Sequence, residues 1–193
     1  MIVILSGITG AGKSFFKKKI MEILNFKNIV IVTTRDKRRN EVDGIDKHFV
    51  TEEQFEKMKK TGEISVSFDF LGNKYAYLKN DLIAQENSIT ELHYSTIHEF
   101  KKVAKNVISI YIQPQNIKNA KYQLKKRRLP WKIERQRLQE IKEQIIEFEK
   151  NTELRKQFDY IVSNDYTEKS LENIINIIKA NLIKNQEFDK VDS

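Results

Sequence analysis

The sequence predicts an α/β protein with a parallel five-stranded core sheet flanked by helices, and three observations carry that prediction. Short apolar runs alternate with longer amphipathic segments along most of the 193 residues, the pattern of successive βαβ units. The apolar opening "MIVIL" leads directly into the glycine-rich "GITGAGKS" (7–14), which is followed by helical spacing. The rhythm is broken at length only between residues 34 and 87, and briefly around residue 130. A chain of this length holds one α/β domain with a sizeable core and is too short for two full-sized ones.

Taken in order, the core strands are expected at 1–5, 28–34 ("NIVIVTT"), 88–93 ("SITELH"), 106–113 ("NVISIYIQ") and 159–164 ("DYIVSN"). Helical spacing fills 13–24, 97–105, 117–126, a long stretch at 133–154, and 171–183. Within the interruption, Thr51 with Gln54 three residues on forms a capping-box pattern, and Gly62 closes the helix that it opens. "ISVSFDF" then alternates with a period of two, and "LGNKYAY" follows what reads as a Gly-Asn turn. A small mixed α/β flap is therefore inserted at 34–87. A second, shorter insertion, "RRLPWK" from Arg127, carries Pro130 and Trp131, and the polar tail at 186–193 is expected to fray. The expected division is one domain, with its core at 1–33, 88–126 and 134–185, the flap at 34–87 and a lid at 127–133.

Composition excludes several functions. No cysteine is present, so disulfide and thiolate chemistry are out, and the three histidines, His48, His93 and His98, lack the spacing of a structural metal site. No apolar run approaches the about 18 residues that a membrane span needs, and the opening lacks a basic leader, so a cytoplasmic protein is expected. The net charge of +8 suits a polyanionic partner, either nucleic acid or a phosphorylated small molecule. The clusters at Lys17–Lys19, Lys37–Arg39 and Lys125–Arg128 mostly fall where helices are expected, and solvated helix faces account for much of them.

"GITGAGKS" satisfies G-x-x-x-x-G-K-[ST] between a strand and a helix, the context in which the pattern holds phosphates. Three of the six glycines, Gly7, Gly10 and Gly12, lie in this one loop. With Thr9 and Ala11 they would turn backbone N–H groups toward phosphate oxygens at a helix N-terminus. Lys13 would bridge the terminal phosphates of ATP, and Ser14 would hold Mg²⁺. A tight turn with no ligand would require neither Lys13 nor Ser14.

From Thr33 onward the chain resembles the guanylate kinase family and hence the P-loop kinase fold. The family pattern T-T-R, a second arginine three residues on, and then G-E-V-x-G-x-D-Y-x-F-V is met by Thr33, Thr34, Arg35, Arg38, Glu41, Val42, Gly44, Asp46, Phe49 and Val50. The match continues without gaps through Phe55, Gly62, Glu63, Gly72, Asn73 and Tyr75, and "FDYIVSND" resembles the last core strand, with Asn164 at its tip on the ATP side. The resemblance covers almost the whole chain. It implies that Arg35, Arg38 and Tyr75 grip the acceptor phosphate, with Lys47 standing where the family has a tyrosine. It also implies that Glu91 orients Mg²⁺ or its waters, and that lid arginines, Arg128 and Arg137 above all, neutralise the transferring phosphoryl group.

The four positions that read guanine in the family fall on Ile31, Val66, Tyr77 and His93. Aliphatic side chains cannot accept guanine's N–H protons, and each such donor left unpaired costs roughly 1–3 kcal/mol, so guanine selectivity should be lost. The resemblance thus implies an ATP- and Mg²⁺-dependent kinase acting on a phosphorylated small molecule, by family default GMP or dGMP. The alternatives are a sugar phosphate acceptor such as ribose bisphosphate, or a non-catalytic phosphopeptide-binding module. A nucleic-acid partner has no recognisable module to support it.

Overall fold

The computed structural model describes residues 1–39, 41–83 and 86–191, with side chains up to residue 185. The chain opens with β1 (Ile2–Ser6), α1 (Lys13–Leu24), β2 (Lys27–Asn28), β3 (Val32–Thr33) and β4 (His48–Phe49), followed by α2 (Glu52–Lys60), β5 (Ile64–Phe70), β6 (Asn73–Leu78) and α3 (Lys79–Ile83). It continues with β7 (Ser88–Glu91), a single 3-10 turn at Tyr94–Thr96, α4 (Ile97–Val103), β8 (Val107–Pro114) and α5 (Ile117–Lys125). α6 (Trp131–Lys150), α7 (Thr152–Lys156), β9 (Tyr160–Asn164) and α8 (Glu168–Val191) complete it.

The expected five-stranded sheet is present, in the order β2-β7-β1-β8-β9 with every pair parallel. Its central strand is buried throughout, as a sheet covered on both faces requires. Alternate residues of β1 face opposite layers. Val3 and Leu5 join the core beneath α1, α5 and α8, whereas Ile2 and Ile4 join a second core that includes Phe100, Tyr111 and Phe148. Tyr111 stacks on Phe148 with ring centroids 3.5 Å apart, which anchors α6 to the sheet.

The expected strand at 28–34 divides between two sheets. Ile29 N still donates to Ile89 O at 3.0 Å, but His48 N donates to Ile31 O at 2.9 Å and β3 belongs to a four-stranded mixed sheet, β4-β3-β6-β5. An unbroken run of β-branched residues does not record which partner strand each residue meets. The hairpin between β5 and β6 turns at Leu71 and Gly72, with φ of 50° and 73°, because Phe70 pairs with Asn73. The turn is therefore one residue earlier than the sequence suggests. Thr51 caps α2 with the reciprocal capping box, and Phe55 fills a small core with Val32 and Ala76.

Helix boundaries shift in three places. Asn151 caps α7 by accepting from Leu154 N at 2.9 Å, which splits the expected helix at 133–154 in two. α6 already begins at Trp131, after Pro130, so the loop before it is shorter than expected. α8 runs on to Val191 through the residues set apart as a tail, while residues 192 and 193 lie outside the described part. No helix among the described residues is long and apolar enough to cross a membrane.

Candidate active site

One cleft of about 1050 Å³ runs from the loop after β1 to the mouth of the four-stranded sheet. At one end Gly7, Thr9, Gly10, Gly12, Lys13 and Ser14 line it. Gly7 and Gly10 adopt φ of 142° and 83°, and a Cβ on either would run into a carbonyl oxygen, that of Ile112 or of Ala120. Only glycine therefore fits where the loop crosses β8 and α5. Ala11 is fully buried behind the loop. Lys13 donates to Gly7 O at 2.7 Å and Ile8 O at 2.9 Å, and burial pushes its pKa down, partly offset by Glu91.

Asn164 Nδ2 donates to Ala11 O at 2.9 Å, and its Oδ1 accepts from Tyr166 N at 2.8 Å. Tyr166 in turn donates its hydroxyl to Gly10 O at 2.8 Å. The tip of β9 thus holds the phosphate loop in shape. Tyr166, Thr167 and Glu168, which the sequence reading missed, also line the cleft.

Glu91, at the end of β7, faces Ser14. Burial alone would raise its pKa, but Lys17, Lys13, a hydrogen bond from Ser14 and Lys47 together hold it below the usual carboxylate range. A hydroxyl and a carboxylate are hard oxygen donors of the kind that Mg²⁺ takes, with substrate phosphates and water completing its shell. Among the described residues, no three of His, Cys, Asp and Glu converge as metal ligands.

At the far end of the cleft, Arg35 reaches both oxygens of Glu41, at 2.7 and 2.9 Å, and Arg38 N donates to the same carboxylate at 2.8 Å. Arg38, Lys47 and Tyr75 line the cleft with Arg35. Burial is the main cause that pushes Lys47 down to about 8. Arg137 also lines it, with its guanidinium over the Phe70 ring at 5.2 Å and 3.0 Å from Glu140. Arg127 lines the cleft and Arg128, at φ 49°, does not, although both are exposed. Of the two lid arginines that the sequence emphasised, Arg128 and Arg137, only Arg137 lines the cleft, and sequence does not separate Arg128 from its neighbour Arg127.

The four positions aligned with guanine readers do not converge. Ile31 and His93 line the cleft, but Val66 and Tyr77 lie outside its lining, packed in the core between the two sheets. Tyr77 is fully buried and donates to Glu91 O at 2.7 Å. Phe68 and Phe70 occupy the wall instead: Phe68 stacks on Tyr75 at 5.2 Å, and Phe70 lies 4.8 Å from the His93 ring. Both share a strand face with Val66 at steps of two, a signal present in the sequence and not used. Burial pushes His93 down to about 4, so it is neutral at physiological pH.

The fold and this cleft together define a P-loop phosphotransferase, with a phosphate loop at one end and opposed arginines at the other. The family model described as guanylate kinase matches residues 1–181. A guanylate kinase of Wolbachia pipientis wMel is 29% identical over 95% of this chain and 92% of its own length. Another, of Wolbachia sp. subsp. Brugia malayi (strain TRS), is 27% identical over 95% and 94%. The crystal structure of guanylate kinase from Anaplasma phagocytophilum is similar in fold, with a TM-score of 0.72 and 24% identity over 93% of this chain and 85% of that one. The chain belongs to the guanylate kinase family, the ATP-dependent nucleoside monophosphate kinases. The sugar-phosphate and phosphopeptide alternatives find no support in these relatives.

Proposed function

We propose that this kinase phosphorylates purine nucleoside monophosphates through an aromatic base pocket that discriminates weakly between guanine and adenine. The observation that carries it is the make-up of the cleft: Phe68, Phe70, Tyr75 and His93 line it together with Ile31. Aromatic faces stack on any purine, and a neutral His93 adds no charge to select among them.

In this reading the phosphate loop and Lys13 hold the ATP phosphates, while Arg35, Arg38 and Lys47 hold the acceptor phosphate. Ser14 and Glu91 would hold Mg²⁺, which would supply neutralisation of charge on the transferring group. Arg137 and Arg127 approach from the α6 side and would stabilise the charge spread over the γ-phosphoryl oxygens as it moves in line. Lys13 would have to exchange the Gly7 and Ile8 carbonyls for phosphate oxygens.

The test is ADP release from Mg-ATP with AMP, GMP, CMP and UMP in parallel, with Lys13→Ala as control. ADP release dependent on a purine nucleotide, with AMP and GMP within about tenfold in kcat/KM, is the expected result. Release with no nucleotide monophosphate at all would sink the kinase assignment, and a large preference for GMP would sink the pocket assignment.

A further inference from the structure

Glu140 on α6 is 8% exposed and lines the cleft. A carboxylate held largely out of water beside a phosphate loop is costly twice over: it loses hydration, and it repels the anions that the cleft is suited to take. Both of its oxygens have partners. Oε2 takes the Arg137 guanidinium at 3.0 Å, and Oε1 accepts from Gln144 Nε2 at 2.9 Å and from the Thr9 hydroxyl at 3.4 Å.

Arg137 and Gln144 stand three residues before and four residues after Glu140 on the same helix, the spacing at which side chains on one face meet. Thr9 comes from the far end of the chain. It belongs to the phosphate loop, and that loop is tied down on both sides of it: Ile8 O accepts from Lys13 at 2.9 Å and Gly10 O from Tyr166 at 2.8 Å. Glu140 therefore joins α6 to a fixed stretch of backbone. From Arg137 the contacts continue to Phe70, whose ring centre lies 5.2 Å from the guanidinium. The guanidinium is thus held from the phosphate loop through Glu140 and from the aromatic wall through Phe70.

We propose that Glu140 is a positioning residue that sets Arg137 against the phosphate loop, so that the guanidinium stands where charge develops on the transferring phosphoryl group. The proposal rests on the kinase reading above and not on the identity of the base. A negative charge at this place weakens the attraction of the cleft for phosphates, and what it contributes in return is the direction of Arg137. Binding and chemistry should therefore respond in opposite senses when that charge is removed.

The experiment measures kcat and the calorimetric affinity for Mg-ATP on the wild type, Glu140→Gln, Arg137→Ala and the double variant, with the best acceptor among AMP, GMP, CMP and UMP. Glu140→Gln should lower kcat about tenfold, the cost of a slightly misplaced catalytic group, while Mg-ATP binds as tightly as to the wild type or more tightly. Weakened Mg-ATP binding alongside the loss of kcat would mean general damage to the site and would overturn the proposal, as would an unchanged kcat. In the Arg137→Ala background, Glu140→Gln should cost no further kcat. A further loss of the same size would show that Glu140 acts other than through Arg137, which the proposal does not survive. Thr9→Val keeps the shape of the loop and leaves Glu140 in place, so it decides the matter should Glu140→Gln fail to fold: kcat should fall about threefold, and wild-type kcat would rule out the link to the loop. Wild-type kcat in Arg137→Ala itself, or no acceptor-dependent ADP release at all, would overturn the kinase reading of the cleft and this inference with it.

Discussion

Arg35 Nη2 reaches both carboxylate oxygens of Glu41, at 2.7 and 2.9 Å, and the same carboxylate accepts the backbone N–H of Arg38. Burial works against the Glu41 charge, but Arg38 N–H and Arg35 outweigh it and keep its pKa low. One acidic side chain thus orients the Arg35 guanidinium and holds the Arg38 backbone at the end of the cleft assigned to the acceptor phosphate, with the Arg38 guanidinium 4.0 Å away. Glu41→Gln keeps the shape and removes the charge. Its acceptor KM should rise about tenfold, from the roughly 1.5–3 kcal/mol that a charge-assisted hydrogen bond contributes. The KM for ATP should not move, and steady-state kinetics with each substrate varied separates the two.

Lys47 makes acceptor binding depend on pH. Its pKa is pushed down to about 8, mainly by burial, so the free site carries this charge below pH 8 and loses it above. The acceptor phosphate is a dianion above about pH 6, and its binding favours protonated Lys47, raising that pKa in the complex. Acceptor affinity should therefore be flat up to about pH 7.5 and then fall as pH rises, by up to about tenfold by about pH 9.5. In Lys47→Tyr the step near 8 should vanish from the acceptor KM profile. Persistence of the step would assign it to another group.

Arg137 stacks over Phe70 and is held by Glu140, so its guanidinium enters the cleft in one orientation. Arg137→Ala should lower kcat by about 10²- to 10³-fold, the usual cost of removing one preorganised stabiliser of transition-state charge. Arg128→Ala, outside the cleft, should keep kcat within about twofold. Single-turnover measurements at saturating ATP and acceptor distinguish a slowed chemical step from weakened binding.

The contrast between Arg137 and Arg128 shows what the sequence makes legible. The phosphate loop could be read because its spacing is local: glycines, a lysine and a serine within eight residues, each required by the backbone geometry. A gap-free pattern placed Arg35, Arg38 and Tyr75 along one cleft, which they line. The base pocket could not be read in this way. Val66 and Phe68 stand two residues apart on one strand face, and which of them reaches the cleft depends on how deeply β5 sits against the core. The same holds for the expected strand at 28–34, whose residues suit either sheet equally. Gln144 and Glu140 were overlooked because polar residues on a long amphipathic helix look like its solvated face until tertiary packing buries them.

Asn164 lines the cleft beneath the phosphate loop, with its Nδ2 donating to Ala11 O and its Oδ1 accepting from Tyr166 N. The side chain is 1% exposed and lies against Gly12, where a Cβ would come within 2.9 Å of Nδ2. Asn164→Ala leaves the Ala11 carbonyl without its donor and frees the Tyr166 turn, a loss of about 1–3 kcal/mol in folding stability. Denaturant unfolding should show it as a lower midpoint with an unchanged slope. If Asn164 acts only through the loop, the KM for ATP should rise several-fold while the acceptor KM stays fixed, and saturating Mg-ATP should recover part of the lost stability by binding the folded state. Recovery equal to that of the wild type, with an unchanged KM for ATP, would separate Asn164 from the phosphate loop altogether.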